Sequence, residues 1–224
     1  RGKFAGSPIR DYPVKDKPFV LYKGKFYAFN YYLLSDFFYR SLEKALAARN
    51  IKYDWSSIQC EASETKAFQM LARIFPKDTI FSNNKYRPNG KNSEGENDLL
   101  VLFGSAAIIV EVKAKRRWHD SPALKARALT RSNFKDVQEA IDQCRKMESY
   151  MRKGSASVFY TRDWKIKREI DAGHCTRFFK IVLVVDGANE IMSAKAALDG
   201  FVGDQTDVAC LSFDDFMVYA DFFS

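Results

Sequence analysis

Asp98, Glu111 and Lys113 interrupt otherwise apolar runs in residues 96–115, ENDLLVLFGSAAIIVEVKAK. Apolar residues on both sides of Gly104 and Ser105 predict two strands joined by a tight turn, and glycine at the first central position favours a type II′ turn. Counting outward from this turn places Asp98 opposite Glu111. Two carboxylates at that separation repel each other, and a cation bound between them would reverse the sign of the interaction.

Lys113 lies two residues after Glu111, so strand periodicity puts both side chains on one face of the sheet and turns Val112 to the other face. Two carboxylates and an ammonium group on one face suit the metal-assisted hydrolysis of a phosphodiester. Carboxylate oxygens bind Mg²⁺ or Mn²⁺, which acidifies a bound water and offsets the charge that grows in the transition state. A neighbouring lysine can orient the attacking water and stabilise the same charge.

The elements predicted around this hairpin alternate between helix and strand. Apolar spacing predicts three helices, over residues 31–50, 62–75 and 133–153. Ser63 is the predicted N-cap of the second helix. A hairpin is predicted over residues 19–29, and a short strand over residues 79–82. A strand, a helix and a strand follow one another over residues 178–213, which predicts parallel pairing. The predicted fold class is α/β, with a mixed β-sheet that helices cover on both faces.

The length and composition of the chain suit one core with a small accessory region. Its 224 residues are 46% hydrophobic. We divide the chain into an N-terminal accessory region, residues 1–55, and a main domain, residues 56–224. No stretch approaches the roughly 20 consecutive apolar residues of a membrane span, so no membrane association is expected. The first residue is Arg1 and not Met, and we expect further domains of a longer protein.

The number and spacing of cysteines and histidines, and the net charge, exclude some further classes of protein. Four cysteines are scattered without a C-x-x-C pair, and two histidines stand alone. These counts argue against a disulfide scaffold and a structural zinc site, and they fit a reducing cytoplasm. The net charge of +8 favours an anionic partner.

In the combination of Asp98 with Glu111-Val112-Lys113, the sequence resembles the PD-(D/E)xK nuclease superfamily. The core of that superfamily is a helix, a hairpin that bears D and E-x-K, and a second helix. The order of elements is most similar to the NERD and Mrr-like branches, over roughly residues 56–215. The resemblance implies a restriction-endonuclease-like core in which Asp98, Glu111 and the Val112 carbonyl hold Mg²⁺ or Mn²⁺, and in which Lys113 serves the attacking water.

The resemblance also implies functional residues on the two helices beside the hairpin. The family uses a glutamate on the preceding helix as a further metal ligand, and Glu64 is the first candidate because it shares a helical face with apolar residues. Glu61, one turn earlier, is the second candidate. The following helix often offers a glutamine near the site, and Gln138 is preferred to Gln143. Asn97 stands where the family usually has a proline.

Basic residues dominate the segment that follows the E-x-K strand. Between residues 113 and 131 they are accompanied by a single acidic residue, Asp120. A segment that leaves this strand can bind the phosphates beside a scissile bond, whereas Trp118 is either a stacking residue or part of a solvated loop. The residues predicted to bind nucleic acid are Lys115, Arg116, Arg117, Lys125, Arg127 and Arg131.

These features predict a metal-dependent nuclease, specifically an endonuclease, that acts as a monomer or a homodimer, with DNA favoured over RNA. One alternative is a catalytically silent nuclease fold that binds nucleic acid without cutting it. A second is a phosphatase or a nucleotide-binding α/β domain that uses Asp186 in VVDG. The chain has no glycine-rich phosphate loop and no D-x-D pair, which argues against the second alternative.

Overall fold

A computed structural model of the chain describes residues 19–28, 54–89, 93–114, 125–154, 156–185 and 207–224, with isolated positions between 42 and 49. In the helix that begins at Lys125, side chains are described from Lys135 onward. The chain divides into two compact units, residues 1–58 with 118–128 and residues 59–117 with 129–224. Two of the predicted helices, the one over residues 31–50 and the one between residues 178 and 213, lie largely outside the described residues.

The described residues form strands and helices that we number in chain order. The strands are β1 (Phe19–Tyr22), β2 (Lys25–Ala28), β3 (Ile80–Tyr86), β4 (Gly95–Phe103), β5 (Ala106–Lys113), β6 (Ala156–Tyr160), β7 (Lys167–Asp171), β8 (Arg177–Val184) and β9 (Val208–Ser212). The helices are α1 (Trp55–Ile74), α2 (Lys125–Met151) and α3 (Phe213–Phe223).

The first unit contains the predicted hairpin. Strands β1 and β2 pair antiparallel, with Tyr22 opposite Lys25. The two residues between them, Lys23 and Gly24, both have positive φ, of 48° and 74°. Positive φ at both central positions is the backbone of a type I′ turn, whose twist matches that of the flanking strands.

The second unit is an α/β structure with a mixed sheet of seven strands and three helices packed against it. The strand order is β7-β6-β3-β4-β5-β8-β9. Pairs from β7 to β5 are antiparallel, whereas β5 pairs parallel with β8 and β8 pairs parallel with β9. The parallel pairing predicted for the two strands near the end of the chain is therefore confirmed.

Two cores lie on opposite faces of this sheet. Adjacent residues of β4 alternate between them, since Leu100 packs in one core and Leu99 in the other. One core contains the apolar side of α2, represented by Val137 and Ile141. The other contains residues of α1 and α3, such as Leu71 and Phe216. Both faces of the sheet are thus covered by helices, as predicted.

Helix α1 begins earlier than predicted. It starts at Trp55 rather than beside Ser63, and the Asp54 carboxylate accepts a hydrogen bond from the Ser57 amide at 3.2 Å, as an N-cap does. Ser63 lies inside the helix, buried, and its hydroxyl donates to the Gln59 carbonyl at 2.7 Å. The predicted N-cap is therefore wrong, because a serine can satisfy its hydroxyl on the preceding helical turn. None of the helices in the described ranges is long and apolar enough to cross a membrane.

Candidate active site

The β4–β5 hairpin has the predicted turn and register. Gly104 has a φ of 57° and Ser105 does not have positive φ, which fits the predicted type II′ turn. The ladder runs from Phe103 opposite Ala106 outward to Leu99 opposite Val110. It ends there, one pair before Asp98 and Glu111. The expectation that these two acids form a directly opposed ladder pair is therefore wrong.

Asp98 leaves the ladder because its side chain takes over a backbone hydrogen bond of β5. Its Oδ2 accepts from the Val112 amide at 2.7 Å. The carboxyl is thereby fixed beside the first residue after Glu111, and the charge of Asp98 acts on Glu111. The two acids are therefore close, as expected, and their joint role at a metal stays a prediction.

Part of the way along β3 and β4, the side chains of both strands change the face of the sheet on which they lie. Ile80 and Leu99 pack in the core that holds α1, but Tyr86 packs in the core that holds α2. Gly95 lies against the Tyr86 ring, where a Cβ would overlap the ring atoms. Strict alternation would keep Gly95 on the same face as Leu99. The exchange occurs where Asn83 has a φ of 52° and where the pair between Ser82–Leu99 and Asn84–Asn97 is missing from the ladder.

The swap brings two asparagines next to Glu111. The Asn97 amide donates to Glu111 Oε1 at 3.0 Å and to the Val110 carbonyl at 3.1 Å. The Asn84 amide in turn donates to Asn97 Oδ1 at 3.3 Å and to the Phe81 carbonyl at 3.0 Å. All three side chains of this chain of contacts are buried, with Glu111 only 2% exposed. We did not predict this role for Asn84 and Asn97, since strict alternation gives no signal for it.

Lys113 lies on the same face as Glu111, as predicted. Its Nζ is 3.9 Å from Glu111 Oε2 and donates to Gln143 Oε1 at 2.7 Å. Val112 packs in the opposite core. The preferred glutamine was Gln138, but its amide donates to Asp142 on the same helix at 3.0 Å. Five helical residues separate the two glutamines, which turns them about 140° apart around α2, and Gln143 is the one that faces the site.

Burial and like charge dominate the electrostatics of the two carboxyls. Burial raises the pKa of Glu111 well above its usual range, the Asp98 charge adds to the rise, and the Lys113 charge opposes it. Burial also raises the pKa of Asp98, against the Val112 hydrogen bond and the Lys113 charge. A pair of acids held in this way carries its two negative charges poorly unless a cation joins it.

Glu64 lies on α1 within electrostatic reach of this pair. It is half-buried, and its pKa is raised first by burial and then by the Asp98 charge. One turn earlier, the half-buried thiol of Cys60 has a raised pKa for the same reasons, burial first and then Glu64 and Asp98. Among the described residues, however, no three His, Cys, Asp or Glu side chains come together closely enough to hold a metal ion.

The donor set still suits a hard divalent cation. Mg²⁺ is usually bound through one or two carboxylates and keeps several waters, so it does not need three protein carboxylates in contact. Asp98 and Glu111 supply two adjoining carboxyls, and the Val112 carbonyl was the predicted third oxygen. Manganese accepts the same oxygen ligands.

A cavity of about 220 Å³ lies beside Gln143, whose side chain accepts a hydrogen bond from Lys113. It is also lined by Tyr86, whose buried hydroxyl has no hydrogen-bond partner among the described residues. The remaining lining residues are Lys85, Glu94, Gly95, Glu96 and Lys146. A space of this size can hold several waters or part of a bound ligand.

Several predicted residues fall outside what the structure describes. Lys115, Arg116 and Arg117 lie in the gap after β5, together with Trp118. Three further basic residues are helical in α2, but their side chains are not described, namely Lys125, Arg127 and Arg131. Asp186, the residue of the phosphatase alternative, also lies outside the described residues.

Comparison of the chain with protein-family models, with curated proteins and with solved structures found no match.

Proposed function

We propose that this protein is a metal-dependent nuclease that hydrolyses phosphodiester bonds, with DNA favoured over RNA. The observation that carries the proposal is the proximity of two carboxyls, the partly buried Asp98 and the buried Glu111, with the Lys113 ammonium 3.9 Å from Glu111 on the same face. Buried like charges are retained where a cation offsets them. The order of helix, hairpin and helix supports a restriction-endonuclease-like core, as the resemblance to the PD-(D/E)xK superfamily implies.

Each reactive group in this proposal is held by a neighbour. The Val112 amide fixes Asp98, and the Asn97 amide fixes Glu111. Gln143 accepts one of the three Lys113 donors and leaves the others for a water or a phosphate oxygen. A bound Mg²⁺ or Mn²⁺ would acidify a water and offset charge on the phosphate. The Lys113 ammonium stabilises the same charge and orients the nucleophile.

The residues that would hold the metal are Asp98 and Glu111, with the Val112 carbonyl and water completing the set. Glu64, which lies within electrostatic reach of Asp98, stays the proposed further carboxylate ligand. Lys115, Arg116, Arg117, Lys125, Arg127 and Arg131 remain the proposed phosphate contacts of the flanking strand. We also propose a cytoplasmic location, because free thiols of Cys60, Cys144, Cys175 and Cys210 suit a reducing compartment.

A nuclease fold that only binds nucleic acid is the second candidate. It is favoured by the lack of a ready three-carboxylate cluster among the described residues. The two candidates differ in one measurable property, since the first cuts in the presence of a divalent metal and the second does not cut under any condition.

The test is incubation of the protein with plasmid, linear duplex DNA and RNA, each with Mg²⁺, Mn²⁺ or EDTA. We expect cleavage with metal and none with EDTA. Lys113→Ala should abolish cleavage while calorimetry still detects Mn²⁺ binding. Lys135→Ala is the matched control, because Lys135 is 77% exposed on α2 and pairs with Glu139. Cleavage in EDTA, or a fully active Lys113→Ala protein, would overturn the proposal. Binding without cleavage of any substrate would select the second candidate.

A further inference from the structure

A cluster of cations and aromatic rings lies at the edge of β3 and β6. Lys85 of β3 is opposite Tyr160 of β6. Arg87 follows β3, and Trp164 lies in the turn between β6 and β7. The Arg87 guanidinium is 4.8 Å from the centroid of the Trp164 ring, and Lys85 Nζ is 5.6 Å from it. We call Lys85, Arg87, Tyr160, Arg162 and Trp164 the edge cluster.

The aromatic rings of the edge cluster are held together and partly open to solvent. The Tyr160 and Trp164 rings are 5.2 Å apart at a tilt of 43°. The turn that carries Trp164 is fixed by the Thr161 hydroxyl, which donates to Asp163 at 2.6 Å and accepts from the Ile166 amide at 3.1 Å. Trp164 has a φ of 61°, a conformation that bulky residues adopt only where their surroundings enforce it.

Among the described residues, the cations of the edge cluster form no ion pair with an acidic side chain. Some other arginines do, as Arg145 does with Asp207 and Arg152 with Glu148. In that same part of the chain, Lys85, Arg87 and Arg162 form no salt bridge. The Arg87 Nε is buried and has no hydrogen-bond partner within the part of the chain that the structure describes. Uncompensated cations on aromatic rings suit an anionic partner with flat apolar groups.

The edge cluster and the carboxyl pair lie near each other in the fold. Lys85 and Gln143 line the same cavity, and Gln143 accepts a hydrogen bond from Lys113. Glu64 lies on α1, and the Arg162 charge opposes the rise in its pKa, so these two groups are within electrostatic reach. A strand bound at the carboxyl pair is therefore within reach of the edge cluster.

We infer that the edge cluster binds single-stranded nucleic acid beside the catalytic site. Phosphates would contact Lys85, Arg87 and Arg162, and an unpaired base would stack on the Trp164 indole or on the planar Arg87 guanidinium. Bases inside a duplex do not offer their faces, so the surface favours single strands, overhangs and frayed ends. The inference rests on the proposed function in treating the bound strand as substrate, but the binding itself does not require cleavage.

The test is fluorescence anisotropy with labelled oligothymidylate and with a duplex of equal length, in EDTA so that no cutting occurs. We expect tighter binding of the single strand. Trp164→Ala should weaken that binding roughly ten-fold or more, since stacking on one aromatic side chain contributes that order. Arg87→Ala and Arg162→Ala should each flatten the salt dependence of the binding constant by about 0.7 in slope.

Arg177→Ala is the matched control, because Arg177 is exposed, lies opposite Ala106 beside the far turn of the hairpin, and has no salt bridge in the described part of the chain. Unchanged binding in Arg87→Ala and Arg162→Ala would overturn the inference even if Trp164→Ala failed to fold. Equal binding of single strand and duplex would also overturn it. So would equal affinity for an acidic peptide that depends on the same residues, because the surface would then recognise a protein.

Failure of this inference differs from failure of the proposed function. If Trp164→Ala, Arg87→Ala and Arg162→Ala weaken binding of the single strand, but the parent cuts nothing with Mg²⁺ or Mn²⁺, the edge cluster stands and the nuclease does not. If the parent cuts and Trp164→Ala, Arg87→Ala and Arg162→Ala bind and cut single strands like the parent, the nuclease stands and the edge cluster does not.

Discussion

The side-chain amide of Asn97 donates a hydrogen bond to the carboxylate of Glu111, and both side chains are buried. Asn97 directly precedes Asp98 on β4. One of these two residues therefore binds the Glu111 carboxylate, and the other supplies the second carboxylate of the site. Asn97 also donates to the Val110 carbonyl, and its own oxygen accepts from Asn84. The orientation of Glu111 is therefore set by a side chain whose remaining hydrogen-bonding groups are satisfied elsewhere.

Removing this contact should impair cleavage more than folding. We expect Asn97→Ala to reduce the cleavage rate about 10- to 100-fold, as loss of partners that orient metal ligands typically does. It should lower the free energy of unfolding by about 1–3 kcal/mol, because a buried carboxyl loses its donor. Asn89→Ala, at an exposed turn position, is the control. Rates and melting curves decide the outcome, and a stable Asn97→Ala protein with the parent rate would show that Glu111 needs no such support.

The two glutamines of α2 form a matched pair for testing Lys113. Both are half-buried on the same helix, but Gln143 accepts from Lys113 whereas Gln138 bonds to Asp142. We expect Gln143→Ala to reduce the maximal cleavage rate with little change in the substrate concentration needed for half that rate. Gln138→Ala should behave like the parent. Equal losses in the two variants would mean that the contact seen at Gln143 does not position the lysine.

Much of the fold was predictable because local signals agreed with the tertiary structure. Glycine at the turn and apolar residues on both strands were enough to predict the β4–β5 hairpin. The length of β3 was not predictable in this way. Its second half, Asn83 to Tyr86, is polar and pairs as a strand because β4 and β6 flank it. Strand β7 carries charged residues at exposed positions, and the five residues of β6 are too few to show a clear apolar alternation.

The site was predictable in its residue types but not in its contacts. Glu111 and Lys113 share a face because strand periodicity requires it. Asn97 reaches Glu111 only because β3 and β4 swap faces near Asn83, an irregularity that alternation cannot anticipate. The choice between Gln138 and Gln143 depends on how α2 is rotated against the sheet, which its apolar stripe does not determine to within one helical turn.

A buried lysine away from the site should control the pH dependence of stability. Lys180 is 5% exposed and forms ion pairs with Glu148 and with Asp207. Although burial acts against it, the net effect is a lowered pKa for Glu148, through hydrogen bonds from Lys180 and Arg152. The pKa of Asp207 is also lowered, first by the Lys180 hydrogen bond.

Carboxyls whose pKa is lowered in the folded state stabilise the fold at pH values above their unfolded-state pKa, which is about 4. They lose that contribution as the pH falls below about 4, through their lowered folded-state pKa. We expect Lys180→Met to lower the free energy of unfolding by about 1–3 kcal/mol at pH 7, because two acids lose their donor. The difference between parent and variant should shrink below pH 4, where the acids are protonated. Urea melts at pH 3.5, 5 and 7 measure this, and a pH-independent difference would assign the loss to packing alone.

Asp98→Asn tests whether the carboxyl pair is built for a cation. The substitution keeps the shape and an oxygen that can accept from the Val112 amide, while it removes one of two adjoining negative charges. The pKa of Asp98 and that of Glu111 are both raised, chiefly by burial. Acids whose pKa is raised in the folded state stabilise the fold at pH values below their unfolded-state pKa. This contribution is lost as the pH rises through their folded-state pKa.

In EDTA at pH 8 we therefore expect Asp98→Asn to be as stable as the parent or slightly more stable, and this advantage should fade toward pH 4. Cleavage should be lost, together with the rise in melting temperature that Mn²⁺ gives the parent, because a cation that binds the folded state raises its stability. Glu169→Gln is the control, since Glu169 is an exposed acid that pairs with Lys167 on β7. Melting curves of the three proteins, with EDTA and with Mn²⁺ at both pH values, separate the cases. Clear destabilisation of Asp98→Asn in EDTA at pH 8 would make Asp98 a structural partner of β5 and would remove the main support for a metal site.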